Sequence, residues 1–183
     1  MRRLIVTEFL SLDGVMEAPH LWSFPYWNDE IEKFKHDELF ASDAQLLGRV
    51  TYQGFADAWP SRTGEYADRL NNLPKYVVST TLETVEWHNS HLIKENIAEE
   101  VTRLKQQPGQ NILVHGSRTL VQRMIQHQLI DEYNLLVYPL ILGSGMRLLN
   151  DGDSASLKLA EARSFSSGVV LLHYQPDRIN VNR

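Results

Sequence analysis

The chain has 183 residues, with 18 Lys and Arg against 23 Asp and Glu for a formal charge of −5, and it is 43% apolar and 22% charged. That composition suits one globular domain and leaves out a disordered chain; with no cationic surplus to hold a phosphate backbone, it leaves out a nucleic-acid partner too. With no cysteine there are no disulfides or thiolate chemistry, and the seven histidines lack the spacing of a zinc site, so no metal is expected.

After Met1-Arg2-Arg3, residues 4–10 are rich in strand formers and end at Ser11-Leu12-Asp13-Gly14, where Asp-Gly signals a turn. The acidic Glu8 interrupts what would have to be the apolar stretch of an export signal, and no segment nears the roughly 18 apolar residues that span a bilayer. A cytoplasmic protein without a membrane partner is therefore expected. Residues 28–40 bring Ile31, Phe34, Leu39 and Phe40 near helical spacing behind Asn28 and Asp29, which suit a helix start. Ala44-Gln45-Leu46-Leu47 reads as a short buried strand that turns at Gly48 into a new helix. Residues 75–79 form a strand, and 95–106 a helix with Ile97, Val101 and Leu104 on one face, stopped by Pro108-Gly109. Residues 111–115 are a further strand, followed by a Gly116-Ser117 turn and the helical stripe Leu120, Val121, Met124, Ile125 and Leu129.

Strands separated by helices argue for parallel βαβ units with right-handed crossovers. The carboxyl-terminal third departs from that alternation: residues 133–142 are long and apolar, a glycine loop follows, and 157–165 and 169–174 flank Ser166-Ser167-Gly168. These read as antiparallel strands added at one end of the sheet. The fold class is thus α/β, with a polar tail at residues 176–183.

Three strand ends offer similar turns. Gly48 lets backbone approach a ligand, the helix after it offers free N–H groups to a phosphate, and Arg49 and Thr51 add a charged fork and a hydroxyl. The same residues also suit a tight turn with a surface arginine. Ser79-Thr80-Thr81 lies beyond the next strand, where open α/β sheets place ligands, although hydroxyl clusters commonly just build turns. His115-Gly116-Ser117 repeats the pattern, and three such turns in one small domain favour a dinucleotide.

Ser11-Leu12-Asp13-Gly14, Gly48-Arg49-x-Thr51-Tyr52, Val77-Val78-Ser79-Thr80, His115-Gly116-Ser117-x-x-Leu120 and Asp131-Glu132 leading to Pro139-x-x-x-Gly143-x-Gly145 occur in that order. Together they resemble the dihydrofolate reductase-like family that includes the carboxyl-terminal reductase domain of the bifunctional riboflavin-biosynthesis deaminase/reductase. The resemblance implies a mixed sheet, mostly parallel with antiparallel carboxyl-terminal strands and helices on both faces, as one reductase domain over residues 1–175. It implies NADPH held by Gly48, Arg49 and Thr51, with Ser79 and Thr80 near the 2′-phosphate and His115, Gly116, Ser117 and Leu120 along the pyrophosphate turn. His115 stands where dihydrofolate reductases often carry glycine.

By the same resemblance Glu30 on the first helix and Asp13 in the first loop are the candidate catalytic acids. A carboxylate at a helix amino terminus is also favoured by the dipole, and Asp13 also suits an Asx turn. Trp22, Trp27 and Trp59 fit either a cleft that stacks a planar heterocycle or anchors of the core, and Tyr138 with Pro139 either the substrate cleft or a dimer contact. His88, His91 and His127 read as solvated. The implied activity is NADPH-dependent reduction, by hydride transfer, of a small pterin-like or ribosylamino-pyrimidine-like substrate. The rival is a nucleotide-binding or regulatory module with the same fold and no turnover, since fold alone does not establish reaction. The apolar stretch 133–142 exceeds what one sheet edge hides, so a homodimer is expected.

Overall fold

The computed structural model describes residues 1–177. Of the expected tail, Pro176 closes the last strand and Asp177 follows it; the remainder lies outside the described residues. The chain forms β1 (Leu4–Ser11), α1 (Asp29–Phe40), β2 (Ser42–Gly48), α2 (Arg49–Ala58), α3 (Glu65–Asn72), β3 (Lys75–Val78) and β4 (Ser90–Ile93). It continues with α4 (Ile97–Gln106), β5 (Asn111–Val114), α5 (Arg118–Gln126), β6 (Glu132–Tyr138), β7 (Leu157–Ser164) and β8 (Val170–Pro176). The strands make one sheet in the order β4-β3-β2-β5-β1-β6-β8-β7, parallel from β4 to β6 and antiparallel at β8 and β7.

The sequence explains most of these choices. Asn28 caps α1 by accepting from the Ile31 amide at 3.0 Å, which satisfies one of the donors that a helix start leaves open. Alternation along β1 divides its residues between two cores. Ile5 joins Leu39, Leu47, Tyr52 and Leu70 beneath α1, α2 and α3. Leu4, Val6 and Leu10 join Val101, Leu104, Leu120 and Val121 beneath α4 and α5. Helices therefore cover both faces, as the family resemblance implies.

Two elements have weak signals and were not expected. The α3 helix is only eight residues long with Ala67 and Leu70 buried, and β4 is a four-residue edge strand that pairs with β3. Conversely, β6 stops at Tyr138 rather than reaching 142: Pro139 has no N–H for the ladder, and Leu140 N turns back to Tyr138 O at 2.8 Å. No helix among the described residues is long and apolar enough to cross a membrane.

Candidate functional site

The carboxyl ends of β2 and β5 are neighbours, because β5 inserts between β2 and β1 after the chain has built β3 and β4. At this reversal the two turns touch backbone to backbone. Gly48 N donates to Gly116 O at 3.0 Å, and a Cβ on Gly48 would lie 2.2 Å from Ser117 Oγ and 2.8 Å from Ser117 N. Only glycine allows that approach. Gly48 is the N-cap of α2 and Ser117 the N-cap of α5, and neither donates or accepts a side-chain capping bond. Two helices of ten and nine residues thus present open amino termini side by side. Their unmatched N–H groups and dipole ends fit a pyrophosphate, at the point where open α/β sheets bind dinucleotides.

Around this junction the expected cofactor residues take different positions. Arg49 is exposed in the first turn of α2, its guanidinium held among the described residues by a 3.3 Å bond to Gln53 Oε1, so it is available to an anion. Ser79 sits beside Gly48 at the end of β3, but it is buried and its Oγ accepts from the amides of Thr81 (3.2 Å) and Leu82 (3.0 Å). The turn-building use of that hydroxyl is therefore present. Thr80 is exposed. Leu120 is buried and packs α5 on the sheet.

Gly116 has φ of +106°, a conformation that glycine adopts without penalty. The place a Cβ would take on it lies 3.0 Å from Thr51 Oγ1, 3.4 Å from Glu8 Oε1 and 3.6 Å from Met16 Cε. Three elements thus converge there. Glu8 is buried, and its Oε1 has no hydrogen-bond partner among the described residues. Burial pushes the Glu8 carboxyl up to about 8, Lys35 opposing and Glu38 adding to the shift. His115 Nε2 is buried and likewise unpartnered; its ring packs 5.5 Å from Phe55, and burial, with Lys35 nearby, holds the imidazole down at about 3. Both groups are neutral near pH 7.

The two expected catalytic acids each accept hydrogen bonds from a later loop. Asp13 is bonded by Ser11 Oγ at 2.7 Å and by the amides of Leu142 (3.1 Å) and Gly143 (2.9 Å), which hold its carboxyl down to about 2. It ties the first loop to the glycine loop after β6. Glu30 accepts from the amide of Ser166 at 2.7 Å and from its hydroxyl, clamping α1 to the β7–β8 turn, and these bonds lower its pKa. It borders a groove of 460 Å³ along α1 that shares no lining residue with the Gly48–Ser117 junction.

Over β6 an aromatic wall surrounds Tyr138, which is fully buried with its hydroxyl unpartnered among the described residues. Phe9, Trp22 and Tyr26 place their rings 5.4, 5.3 and 5.8 Å from it. Trp22 Nε1 donates to Glu17 O, and Trp27 lies partly exposed beside Phe9. Trp59 packs against Phe55 and Tyr66, away from this wall. His88 and His127 are exposed, as is His91, which stacks on Tyr76.

Sequence reasoning missed two features. Glu8 was legible as a charged residue inside a run of strand formers, on the same face as Leu4, Val6 and Leu10. The buried Lys35–Glu38 pair, bonded to Thr7 and Asn134, resembles an ordinary charged helix surface in sequence.

Comparison with known proteins agrees with this layout. A model of the RibD C-terminal domain matches residues 2–171. The uncharacterized protein YyaP of Bacillus subtilis (strain 168) is 31% identical over 183 residues, covering 94% of this chain and 94% of its own. A putative riboflavin biosynthesis protein from Shewanella sp. PV-4 superposes with a TM-score of 0.79 at 20% identity, over 96% of this chain and 99% of that one. Dihydrofolate reductase from Enterococcus faecalis, solved in complex with NADP(H), superposes with a TM-score of 0.64 at 12% identity over 96% of each chain. The structural likenesses establish a shared fold.

Proposed function

This chain belongs to the RibD C-terminal domain family, and from that premise we propose that it is an NADPH-dependent reductase of a small pterin-like or ribosylamino-pyrimidine-like substrate. The observation that carries the reading is the pair of open helix starts pressed together at Gly48 and Ser117. Bound NADPH supplies the hydride. The amides opening α2 and α5 hold the pyrophosphate, Arg49 and Thr80 take the 2′-phosphate from the outer side, and Ser79 shapes the turn beneath them. His115 and Leu120 pack that turn in place, and Thr51 faces it from α2. Trp22, backed by Phe9 and the buried Tyr138, orients a planar ring and excludes water. Asp13 and Glu30 position the loops that border this space.

Incubating the protein with NADPH and a panel of pterins and ribosylamino-pyrimidines tests the activity through loss of nicotinamide absorbance. Oxidation with one member supports the reductase; NADPH binding without oxidation of any points to a nucleotide-binding module instead. NADPH should bind at least tenfold more tightly than NADH, about 1.4 kcal/mol, because only it carries the 2′-phosphate. Replacing Arg49 with alanine should weaken NADPH by about 1.5–3 kcal/mol and leave NADH nearly unchanged. Since Arg49 is exposed with one long bond, the fold should shift by less than about 0.5 kcal/mol. Equal weakening of both nucleotides would move Arg49 to the shared pyrophosphate.

The homodimer belongs to the same proposal, with its surface relocated. The strand β6 is paired on both sides, so it has no free edge. Every residue of β7 is exposed, including Leu157 and Leu159, and Val137, Val170 and Leu172 are half-buried apolar side chains outside the three cores. A second copy packed on this end of the sheet would cover them. Light scattering at micromolar concentration should give twice the chain mass, and Leu159→Lys should give the monomer. A monomeric mass for the unaltered chain would refute the dimer.

A further inference from the structure

The two loops that leave the carboxyl ends of the neighbouring strands β1 and β6 are zipped into one rim. Leu12 N donates to Leu140 O at 2.8 Å, Met16 N to Met146 O at 2.9 Å and Leu148 N to Gly14 O at 3.2 Å, while Glu17 accepts from the amide of Met146 at 2.9 Å. The first loop then makes two short 3₁₀ turns, Pro19–Leu21 and Phe24–Tyr26, beside which Trp22 and Tyr26 pack on Tyr138. Along this rim Leu12, Leu21, Phe24, Trp27, Ile141 and Met146 are exposed. Most of the large apolar side chains that the described residues leave in solvent thus belong to one rim, continuous with the aromatic wall, and such a concentration marks a binding surface.

The charges of the rim decide what it binds. Residues 12–28 and 139–156 carry Asp13, Glu17, Asp151 and Asp153 against Arg147, with His20 besides. Arg147 is already engaged: its Nε donates to Asp13 O at 2.9 Å and its Nη2 lies 3.6 Å from Asp13 Oδ2. The first turn of α1 adds Asp29, Glu30 and Glu32, and the two lysines of that helix, Lys33 and Lys35, are paired with Asp37 and Glu38. A sugar phosphate on the wall would meet carboxylates where phosphate recognition calls for an arginine or lysine. An apolar group there meets apolar side chains. Resting on the reductase reading, we propose that the substrate is a planar ring with an apolar substituent in place of a sugar phosphate. The ring lies on Trp22, and the substituent covers Leu21, Phe24 and Trp27, which removes apolar surface of both partners from water.

Calorimetric titrations on the protein saturated with NADP⁺ test this with two pairs of compounds: 6-phenylpterin against unsubstituted pterin, and a ribosylamino-pyrimidine against its 5′-phosphate. The phenyl group should tighten binding at least tenfold. The phosphate should weaken it at least tenfold, and by less in about 0.5 M salt, which screens the carboxylates. Replacing both Leu21 and Phe24 with serine, at exposed positions outside the three cores, should cut the phenyl advantage to less than threefold and leave the mass in light scattering unchanged. Equal or tighter binding of the 5′-phosphate, or a phenyl advantage undiminished in the double variant, overturns the proposal and leaves the reductase reading intact. A lower mass for the double variant assigns the rim to a second copy of the chain and overturns the proposal as well. Failure of the nucleotide, or of every ring compound, to bind overturns the reductase reading and the proposal with it.

Discussion

Gly48→Ala is expected to weaken NADPH binding by about two orders of magnitude, roughly 2.7 kcal/mol, and to destabilise the fold by about 1–3 kcal/mol. The added methyl would sit 2.8 Å from Ser117 N and 3.0 Å from Ser117 Cβ, so removing the hydroxyl, which is the nearest atom, does not relieve the clash. The two helix starts must move apart. A pyrophosphate held as proposed by donors from both would lose the better part of one set, at about 1.5–3 kcal/mol for a charged bond. The backbone angle does not contribute, because Gly48 has φ of −77°, open to any residue. Gly54→Ala is the control. It lies in the same helix with nothing within 4 Å of the new methyl, and should raise stability by about 0.5–1 kcal/mol through the lower entropy of the unfolded chain. Calorimetry on both variants separates the local clash from a general intolerance of α2.

The second large effect is expected at Lys35. Its ammonium is buried, bonds Thr7 Oγ1 at 2.8 Å and pairs with Glu38, whose other oxygen accepts from Asn134 at 2.7 Å. Lys35→Met would leave Glu38 as a buried carboxylate without its cation, which costs about 3–5 kcal/mol. Adding Glu38→Leu should return much of that loss, since a buried pair replaced by apolar residues of similar volume is often neutral. Urea titrations of the two single variants and the double give the coupling. Near-additive losses would mean that the pair contributes through packing alone. Lys35→Met should also raise the Glu8 carboxyl further, because Lys35 is the group that opposes its shift.

The linked pH dependence has a definite sign. Glu8 holds its proton up to about 8 in the folded state and up to the ordinary carboxylate value of 4.5 when unfolded, so its stabilising effect is complete below that value and is lost as pH rises toward 8. His115 works in the opposite direction: neutral in the fold down to about 3, it costs stability as pH falls below its ordinary 6.5. These two groups favour a stability maximum on the acid side of neutrality.

The strands, most helices and the composite sheet were legible because short runs of strand formers alternate with stretches whose apolar residues recur every three to four positions, as in α4 with Ile97, Val101 and Leu104. The glycine turns that end β2 and β5 were legible because a glycine after a run of strand formers, followed by a helical stripe, marks where the chain changes direction. The short β4 strand was not, since Ser90-His91-Leu92-Ile93 has only two apolar residues and gains its place by pairing with β3. Nor were the partners of Asp13 and Glu30, which come from residues 142–143 and 166, more than a hundred positions away. Local pattern names the carboxylates but not the amides that occupy them. For Glu8 the signal was present, yet only the three-dimensional position of Gly116 shows that its carboxyl borders the turn after β5.

Amide hydrogen exchange with and without NADPH tests most directly whether a dinucleotide sits on the paired helix starts. NADPH should slow exchange at the opening amides of α2, from Arg49 to Tyr52, and of α5, from Arg118 to Leu120, with little change in α4 or at the β7 edge. Protection confined to the groove beside α1, or none at saturating nucleotide, would contradict the assignment of this junction as the cofactor site.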